Sequence, residues 1–434
     1  MISPPPAGRS VRQGSFLLLR AAGALAFSFS LWATAHAQTP SQAAQGWTLN
    51  ESLKAALSSH PAILGSQSTQ AAARAEREGA DWQRYPSPTL EASTPNSGGS
   101  TTVLRVDQPL WTWGRITAGI DAAGHREGAA GWAVAEARRD IALRVINAWS
   151  EVQRQQLRRI SAEEGLKAHD DLLALMRRRV EQDVSPKVDE DFARSRLLLA
   201  RNDLASVQQG LNAALSQLSL LAGARISRAA GQLDDAGAPA SAEAALALAM
   251  SGSPTLKRLE AESLAAGEDV RSRRATALPQ VSFRVEHYMG TRPGGLPDDS
   301  RALVVISAQP GAGLSYRSGV DAAVARQQTT LQARDVAHRD LSQQIQADWE
   351  ELTASRVRLA NAIEAASMAG QVFDSYMRQY TAGRKTWIDV LNAIREVSQT
   401  AFGIADARAQ TAAAAQRLRL LSGQIDIGSL THAP

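Results

Sequence analysis

The chain has 434 residues, a formal net charge of +4, and no cysteine. The lack of cysteine excludes disulfides, thiolate metal sites, a cysteine nucleophile and a lipid-modified N-terminal cysteine. Its Ala-, Gln- and Arg-rich composition, with 5% aromatic residues, is typical of long helices and not of a β-sandwich.

The N-terminus has the pattern of a secretory signal peptide. Arg9, Arg12 and Arg20 precede an apolar stretch over 21–33, and Ala35-His36-Ala37 follows as a small-residue cleavage site. The pattern predicts a signal peptide over 1–37, with an apolar core shorter than the ~20 residues of a membrane-spanning helix. Its removal takes away three positive charges, so the basic balance does not indicate a nucleic-acid partner.

Matches between two halves of the sequence accumulate at an offset of 200 residues, with Asp189 opposite Asp389 as one pair. Segment 119–123 matches 319–323, and 220–223 matches 420–423. Such self-similarity indicates two structural repeats. We predict repeats over 38–223 and 242–423, a linker over 224–241 and a C-terminal tail over 424–434.

Each repeat predicts the same elements in the same order. Helical patterns near 49–82 and 242–276, each interrupted by proline, are followed by hairpins with a period of two. Proline-free stretches over 115–182 and 318–382 then predict helices of roughly 100 Å. A shorter helix of about 35 residues, on the same helical pattern, closes each repeat at Gly223 or Gly423, residues typical of helix stops.

Polar and apolar residues alternate along the predicted strands. One set is polar and faces either a channel lumen or solvent on an ordinary sheet, two alternatives that the pattern leaves open. Because ~8 strands are about the minimum for a closed barrel in lipid, four strands would require two or three chains to pool theirs. The polar positions are Arg105, Asp107, Ser282, Arg284 and Glu286.

Two motifs carry a family resemblance that covers residues 48–423. They are Gln108-Pro109-Leu110-Trp111-Thr112-Trp113-Gly114 and the segment Tyr380-Thr381-Ala382-Gly383-Arg384-Lys385-Thr386-Trp387-Ile388-Asp389-Val390-Leu391-Asn392-Ala393. With the repeated element order, they resemble the TolC-type outer-membrane factor (outer-membrane efflux protein) family.

The resemblance implies an α+β membrane protein in the outer membrane of a Gram-negative bacterium. Its fold would be a transmembrane β-barrel pooled from a homotrimer, with four strands per chain, continuous with a long α-helical coiled-coil periplasmic tunnel. The implied partners are a periplasmic adaptor (membrane fusion) protein, an inner-membrane transporter and outer-membrane lipid.

The breaks after the long helices are the candidate gate. Their residues fit helix caps: Thr386 and Asp389 form a capping-box pattern, and Ser185-Pro186 fits an N-cap followed by proline at the first helical position. The resemblance adds a constriction with Asp389 and Asn392 as ring positions, and a latch between protomers in which Tyr380 and Lys385 act with Asp189. Asn392 replaces a carboxylate of the family pattern and Lys385 an arginine, which predicts a less anionic ring and a looser latch.

The same turns resemble the family's adaptor-docking tips, at Val184 and Ser185 in the first repeat and Gly383 and Arg384 in the second. Asp183 stands where the family pattern has glycine. Tight helix–helix turns are the alternative interpretation.

Three aromatic residues lie where the first predicted hairpin meets its helices. Tyr85 precedes the hairpin, and Trp111 and Trp113 follow it. They fit an interfacial girdle or, equally, packing of the strand-to-helix junction.

No motif for catalysis is present in the sequence. The seven histidines include no pair at helical ligand spacing, and there is no G-x-S-x-G motif or complete P-loop. We therefore predict no enzyme activity, no catalytic residue, no cofactor and no metal site.

Two classes of function fit the sequence. The first is a passive exit duct, with type I secretion of large adhesins favoured over small-molecule or drug efflux. That preference depends on the hairpin exit at 108–111 and the start of the second long helix at 313–323, which resemble the type I secretion subgroup. The second class is a soluble periplasmic coiled-coil scaffold.

Overall fold

A computed structural model describes residues 46–94, 100–231, 234–290, 299–309 and 311–428. The predicted signal peptide and the two hairpin loops near 95–99 and 291–298 lie outside the described residues. The first half contains α1 (Leu49–Ser59), α2 (Pro61–Trp82), β1 (Ser87–Ser93), β2 (Thr101–Trp111), α3 (Arg115–Glu181) and α4 (Lys187–Ala222). The second half contains α5 (Ala242–Gly252), α6 (Pro254–Thr276), β3 (Gln280–Gly290), β4 (Asp299–Ser307), a 3-10 turn (Ala312–Leu314), α7 (Tyr316–Thr381) and α8 (Trp387–Leu421).

The helices begin and end where local chemistry favours it. Thr48 and Glu51 form a capping box at the start of α1. Pro61 and Pro254 occupy the first turns of α2 and α6, where proline's missing N–H is not needed. At the end of α4, Gly223 adopts a left-handed φ of 66°. The predicted interruption by proline therefore separates two helices in each half.

The four strands form one antiparallel sheet in the order β1-β2-β3-β4. Arg105 lies opposite Glu286, and Glu286 lies opposite Arg301, so these charged residues share one face. The other face is apolar and exposed, as the alternation predicts; it carries Leu90, Leu104, Phe283, Val285, Val304 and Ile306.

The long helices α3 and α7 contain 67 and 66 residues, so each extends roughly 100 Å from the sheet. Helix α3 packs along α4 and α7 along α8, forming two helical hairpins that meet mainly through α3 and α8. None of the helices in the described part of the chain combines the length and apolar character that crossing a bilayer requires.

Apolar side chains pack into three clusters along the helices. Two lie around the middle of the long helices and include Trp149 and Leu352. The third joins all four long and closing helices close to their turns and includes Met176, Tyr380 and Trp387. This last cluster, which we call the tip core, supports the residues predicted for the gate; its buried members are Leu172, Leu173, Met176, Ala193, Leu197, Tyr380, Trp387, Val390, Leu391 and Ile394.

Candidate functional site: the helical tips and the sheet–helix junction

The two hairpin turns share one backbone geometry, 200 residues apart. Asp183 has φ +55° and Gly383 has φ +71°, both left-handed. In each turn the next amide donates back across the turn: Val184 N to Arg179 O at 2.8 Å, and Arg384 N to Gln379 O at 2.8 Å. These six-to-one bonds are those of a Schellman motif, which favours glycine at the left-handed position. Asp183 therefore adopts the conformation that Gly383 adopts in the second hairpin.

The helices that follow the turns are capped differently. In α8, Thr386 is the N-cap, and the predicted capping box is present, with Asp389 N donating to Thr386 Oγ1 at 3.3 Å. In return the Asp389 carboxylate oxygen Oδ2 accepts from Thr386 Oγ1 at 2.8 Å and from Thr386 N at 3.1 Å. These bonds, the side-chain one above all, lower the pKa of Asp389. In α4 the N-cap is Pro186, which has no side chain to accept such a bond.

The prediction that Ser185 caps α4, with proline at the first helical position, was wrong. Ser185 precedes the cap, and its hydroxyl contacts other elements. Arg179 Nε donates to Ser185 Oγ at 3.2 Å, and the Ser185 and Tyr380 hydroxyl oxygens lie 3.4 Å apart. Ser185 thus connects the α3–α4 hairpin with α7.

Tyr380 lies at the centre of these contacts and is 8% exposed. Its ring centroid is 5.2 Å from that of Trp387, and the Arg179 guanidinium carbon lies 5.0 Å above the ring. Within one chain, Tyr380 therefore packs in the tip core and holds the two hairpins together. No sequence motif indicated Arg179, because its role depends on a contact with Tyr380 of a distant segment.

The remaining gate candidates lie on the outside of the tips. Lys385 stacks on the Tyr376 ring at 4.3 Å, and Asn392 is exposed on α8. Asp189, in the first turn of α4, makes no side-chain hydrogen bond or ion pair within the described residues. Its neighbour Glu190 instead binds Lys187 and Arg177, which lower the pKa of Glu190. The predicted adaptor-docking residues Val184 and Arg384 are also exposed.

The aromatic residues at the sheet–helix junction are exposed. Trp111 and Trp113 pack edge to face at 5.9 Å, and Trp113 Nε1 donates to Pro279 O at 2.7 Å. Tyr85 packs against Trp82 at 5.2 Å, and Trp82 itself is 69% exposed. These contacts fit packing of the strand-to-helix junction, and the exposure of the same rings fits an interfacial girdle.

The polar face of the sheet contains a compact charge network. Glu286 is 3% exposed and accepts hydrogen bonds from Arg105 Nε at 3.0 Å, Arg301 Nε at 2.8 Å and the Tyr288 hydroxyl at 2.9 Å. Next to it, Arg284 Nε donates to Asp107 Oδ1 at 2.6 Å. Paired cations and carboxylates line this face across β2, β3 and β4. The alternation of residues along each strand places these charged side chains on one face, and the strand register sets which of them lie opposite each other.

The family model for outer membrane efflux proteins matches residues 52–224 and 245–424. The chain belongs to the outer membrane efflux protein family. Members of this TolC-type family are trimeric channels of the outer membrane, not enzymes, and they work with periplasmic adaptors and inner-membrane transporters. The protein is therefore an outer-membrane channel component with a periplasmic tunnel, as predicted.

Solved channels have the same fold. A CusC structure concerned with folding and transmembrane channel formation is 18% identical, with a TM-score of 0.77 over 86% of this chain and 91% of that one. VceC from Vibrio cholerae is 17% identical, with a TM-score of 0.74 over 86% and 96%. The open state of the Neisseria gonorrhoeae MtrE channel is 16% identical, with a TM-score of 0.72 over 86% and 88%. No curated protein matches the sequence.

Proposed function

We propose that this efflux-family chain forms a homotrimeric exit duct, which passively conducts substrate from an inner-membrane transporter and its periplasmic adaptor to the exterior. The observation that carries the proposal is the sheet: within the described residues β1 and β4 each pair along one edge only. Open strand edges cannot persist in lipid. Three chains pairing β1 with a neighbouring β4 would close a barrel of twelve strands.

The apolar face of the sheet supports this arrangement. Val304 and Ile306 are 62% and 71% exposed, whereas the Glu286 network occupies the opposite face. A closed barrel would place the apolar face against lipid and the charge network in the lumen. Trp111, Trp113 and Tyr85 would then lie at the periplasmic interface of the membrane.

The long helices carry exposed apolar residues that a neighbouring chain would cover. Val188 and Phe192 lie one turn apart on α4, and Val357, Met368 and Val372 follow one face of α7. In a trimer, α4 of one chain would pack against α7 of the next. We propose that the two repeats, 38–223 and 242–423, thereby alternate around a tunnel of twelve helices.

We also propose that the tips form the gate. Asp189 has no partner within the described part of its own chain, so its carboxylate is free to bind Lys385 of a neighbouring copy. Asp389 and Asn392 would recur three times around the mouth, where like charges repel at short distance. Tyr380 contributes from within the chain by fixing α7 to the α3–α4 turn.

The exposed turns would receive the adaptor. Val184 is 57% exposed, and Arg384 is exposed beside Gly383. The Schellman geometry is the same in both turns, so one adaptor surface would meet similar backbones at alternating positions around a trimer. Ser185 is half-buried and would set the shape of the first turn more than contact the adaptor directly.

For cargo, we propose type I secretion of a large protein such as an adhesin. Residues 108–111 and 313–323 support this by their resemblance to the secretion subgroup. The second candidate is small-molecule efflux, which the family's description favours. Deletion of the gene, followed by assays of surface adhesin and of drug susceptibility, separates them: loss of surface adhesin alone supports secretion, and drug sensitivity alone overturns it.

The duct itself is tested by fractionation. We expect heat-modifiable trimers that leave the outer membrane only with detergent and conduct ions in planar bilayers. A soluble periplasmic monomer would overturn the proposal and favour the scaffold alternative.

A further inference from the structure

A cavity of about 170 Å³ lies between the two helical hairpins, lined by residues of α3, α4 and α8. It is large enough for water or a small ligand, since about 10–15 Å³ of such space is enough for one water molecule. Gly165 of α3 faces Ser398 of α8 across it, and a Cβ added at Gly165 would meet Ser398 Oγ at 3.2 Å. Glycine in the middle of a long helix lowers helix stability, and here it leaves room at the contact between the hairpins.

The charged residues that line the cavity leave an excess of positive charge. Arg196 comes from α4 and Arg395 from α8, whereas Asp203 of α4 supplies the lining's one carboxylate. Neither arginine makes an ion pair with any residue that the structure describes. Arg196 is half-buried, whereas Arg395 is exposed. A guanidinium group that is partly shielded from water attracts an anion more strongly than a fully exposed one does.

Helix α3 contributes a buried histidine to the cavity lining. His169 of α3 is 7% exposed, lines the cavity, and its Nδ1 has no hydrogen-bond partner within the described residues. An unpaired buried polar atom is costly, and a ligand in the cavity would satisfy it. Burial, followed by the positive charge of Arg196, lowers the pKa of His169, and Asp203 opposes this. The lowered pKa favours the neutral imidazole when the cavity holds no anion.

We propose that this cavity is a binding site for a small oxyanion, held by Arg196, Arg395 and His169. The guanidinium groups match the geometry of oxyanions, and the cavity has room for a small one. A bound anion contacts both hairpins at once and so ties α3 and α4 to α8. The lining of this site includes none of the predicted gate residues.

The anion should bind together with a proton. A negative charge beside His169 favours the imidazolium form, so by linkage binding is tighter at low pH. The charged groups that line the cavity around His169 are Arg196 and Asp203 on α4 and Arg395 on α8. Histidine is the side-chain type whose ordinary pKa lies between pH 5 and 8, so we assign the coupled proton to His169.

Calorimetric titration of the detergent-purified full-length protein with sodium sulfate tests the site, because sulfate keeps its charge across the pH range used. We expect saturable binding that is tighter at roughly pH 5 than at roughly pH 8, a range that includes the ordinary histidine pKa and the lower values that burial of His169 favours. Arg196→Gln and Arg395→Gln should each weaken binding by at least about tenfold, since each removes a charge-assisted hydrogen bond. Arg194→Gln, on the same helix as Arg196 but outside the cavity lining, is the matched control and should bind as the native protein does.

His169→Gln provides a second readout. It keeps a polar side chain but cannot take up a proton, so binding should persist while its pH dependence is lost. Absence of saturable binding, equal weakening by Arg194→Gln, or unchanged pH dependence in His169→Gln would each overturn the proposal. Arg395 is exposed, so we expect Arg395→Gln to assemble. It therefore tests anion binding even if Arg196→Gln does not assemble. Conductance measured on the same samples reports channel formation separately.

Discussion

Ser185 and Tyr380 connect the two helical hairpins, with their hydroxyl oxygens 3.4 Å apart. Ser185 belongs to the turn between α3 and α4, whereas Tyr380 lies at the end of α7. A hydrogen bond between elements so distant in sequence restrains their relative motion, yet its net contribution is only about 0.5–1.5 kcal/mol. In the proposed gate, a bond of this size would favour the closed tip and could still be broken on opening.

Tyr380→Phe should loosen the tip without disturbing its packing, because the ring contacts with Trp387 and Arg179 are retained. In the proposed trimer we expect a higher single-channel conductance in planar bilayers. Tyr376→Phe is the matched control, since the Tyr376 ring serves as a platform for Lys385 and its hydroxyl makes no hydrogen bond in the described structure. Equal conductance of Tyr380→Phe and the native channel would show that this hydrogen bond does not restrain the tip.

We expect opposite effects of glycine-to-alanine substitution at the left-handed turn and in the interior of α7. Gly383→Ala places a Cβ at φ +71°, and no atom lies within 4 Å of it, so only backbone strain opposes the change. We expect a loss of stability of about 1 kcal/mol, measured by thermal denaturation in detergent. Gly370→Ala, in the interior of α7 and equally unobstructed, should stabilise the helix by roughly 0.5–1 kcal/mol.

Asp183→Gly is the converse change in the first hairpin. Asp183 already has φ +55°, so glycine relieves strain there and should raise the denaturation temperature. The greater freedom of glycine in the unfolded chain reduces the gain. A lower denaturation temperature would mean that the Asp183 side chain stabilises the turn by more than its backbone strain.

The capping box predicts a pH-dependent loss of stability. Thr386→Ala removes the N-cap of α8 and should destabilise the tip by about 1 kcal/mol at neutral pH. The folded pKa of Asp389 lies below its ordinary value of 3.8, so its contribution is complete above that value and is lost as the pH falls through the folded pKa. The effect of Thr386→Ala should therefore shrink in acid. Thr381→Ala, whose hydroxyl only bonds back to Met377 O, should show no such pH dependence.

The elements of the fold could be predicted because they depend on local patterns. Proline at 61 and 254, the proline-free stretches and the alternation around Phe283 each act within a few residues. The capping box of Thr386 and Asp389 could be predicted for the same reason. Its bonds span three residues.

The interior of the tips could not be predicted in this way. Ser185 has the composition of an N-cap, but Tyr380 and Arg179 engage its hydroxyl, and this competition depends on packing between segments that are far apart in sequence. His169 and Arg395 likewise meet only when α3 lies against α8. The family resemblance supplied Tyr380 and Lys385 as latch residues, but it gave no indication that Tyr380 is already buried within its own chain.

The two faces of the sheet give the sharpest test of how it meets the membrane. Val304 lies on the apolar face, whereas its neighbour Val305 lies on the face of the Glu286 network, opposite Ser282. In a barrel, Val304→Arg would place a charge against lipid at a cost of up to about 2–4 kcal/mol, whereas Val305→Arg would project into a polar lumen. We expect Val304→Arg to reduce heat-modifiable trimers in the outer membrane and Val305→Arg to leave them near the native amount. If both variants assemble equally well, the apolar face does not contact lipid, and a protein partner would have to cover it instead.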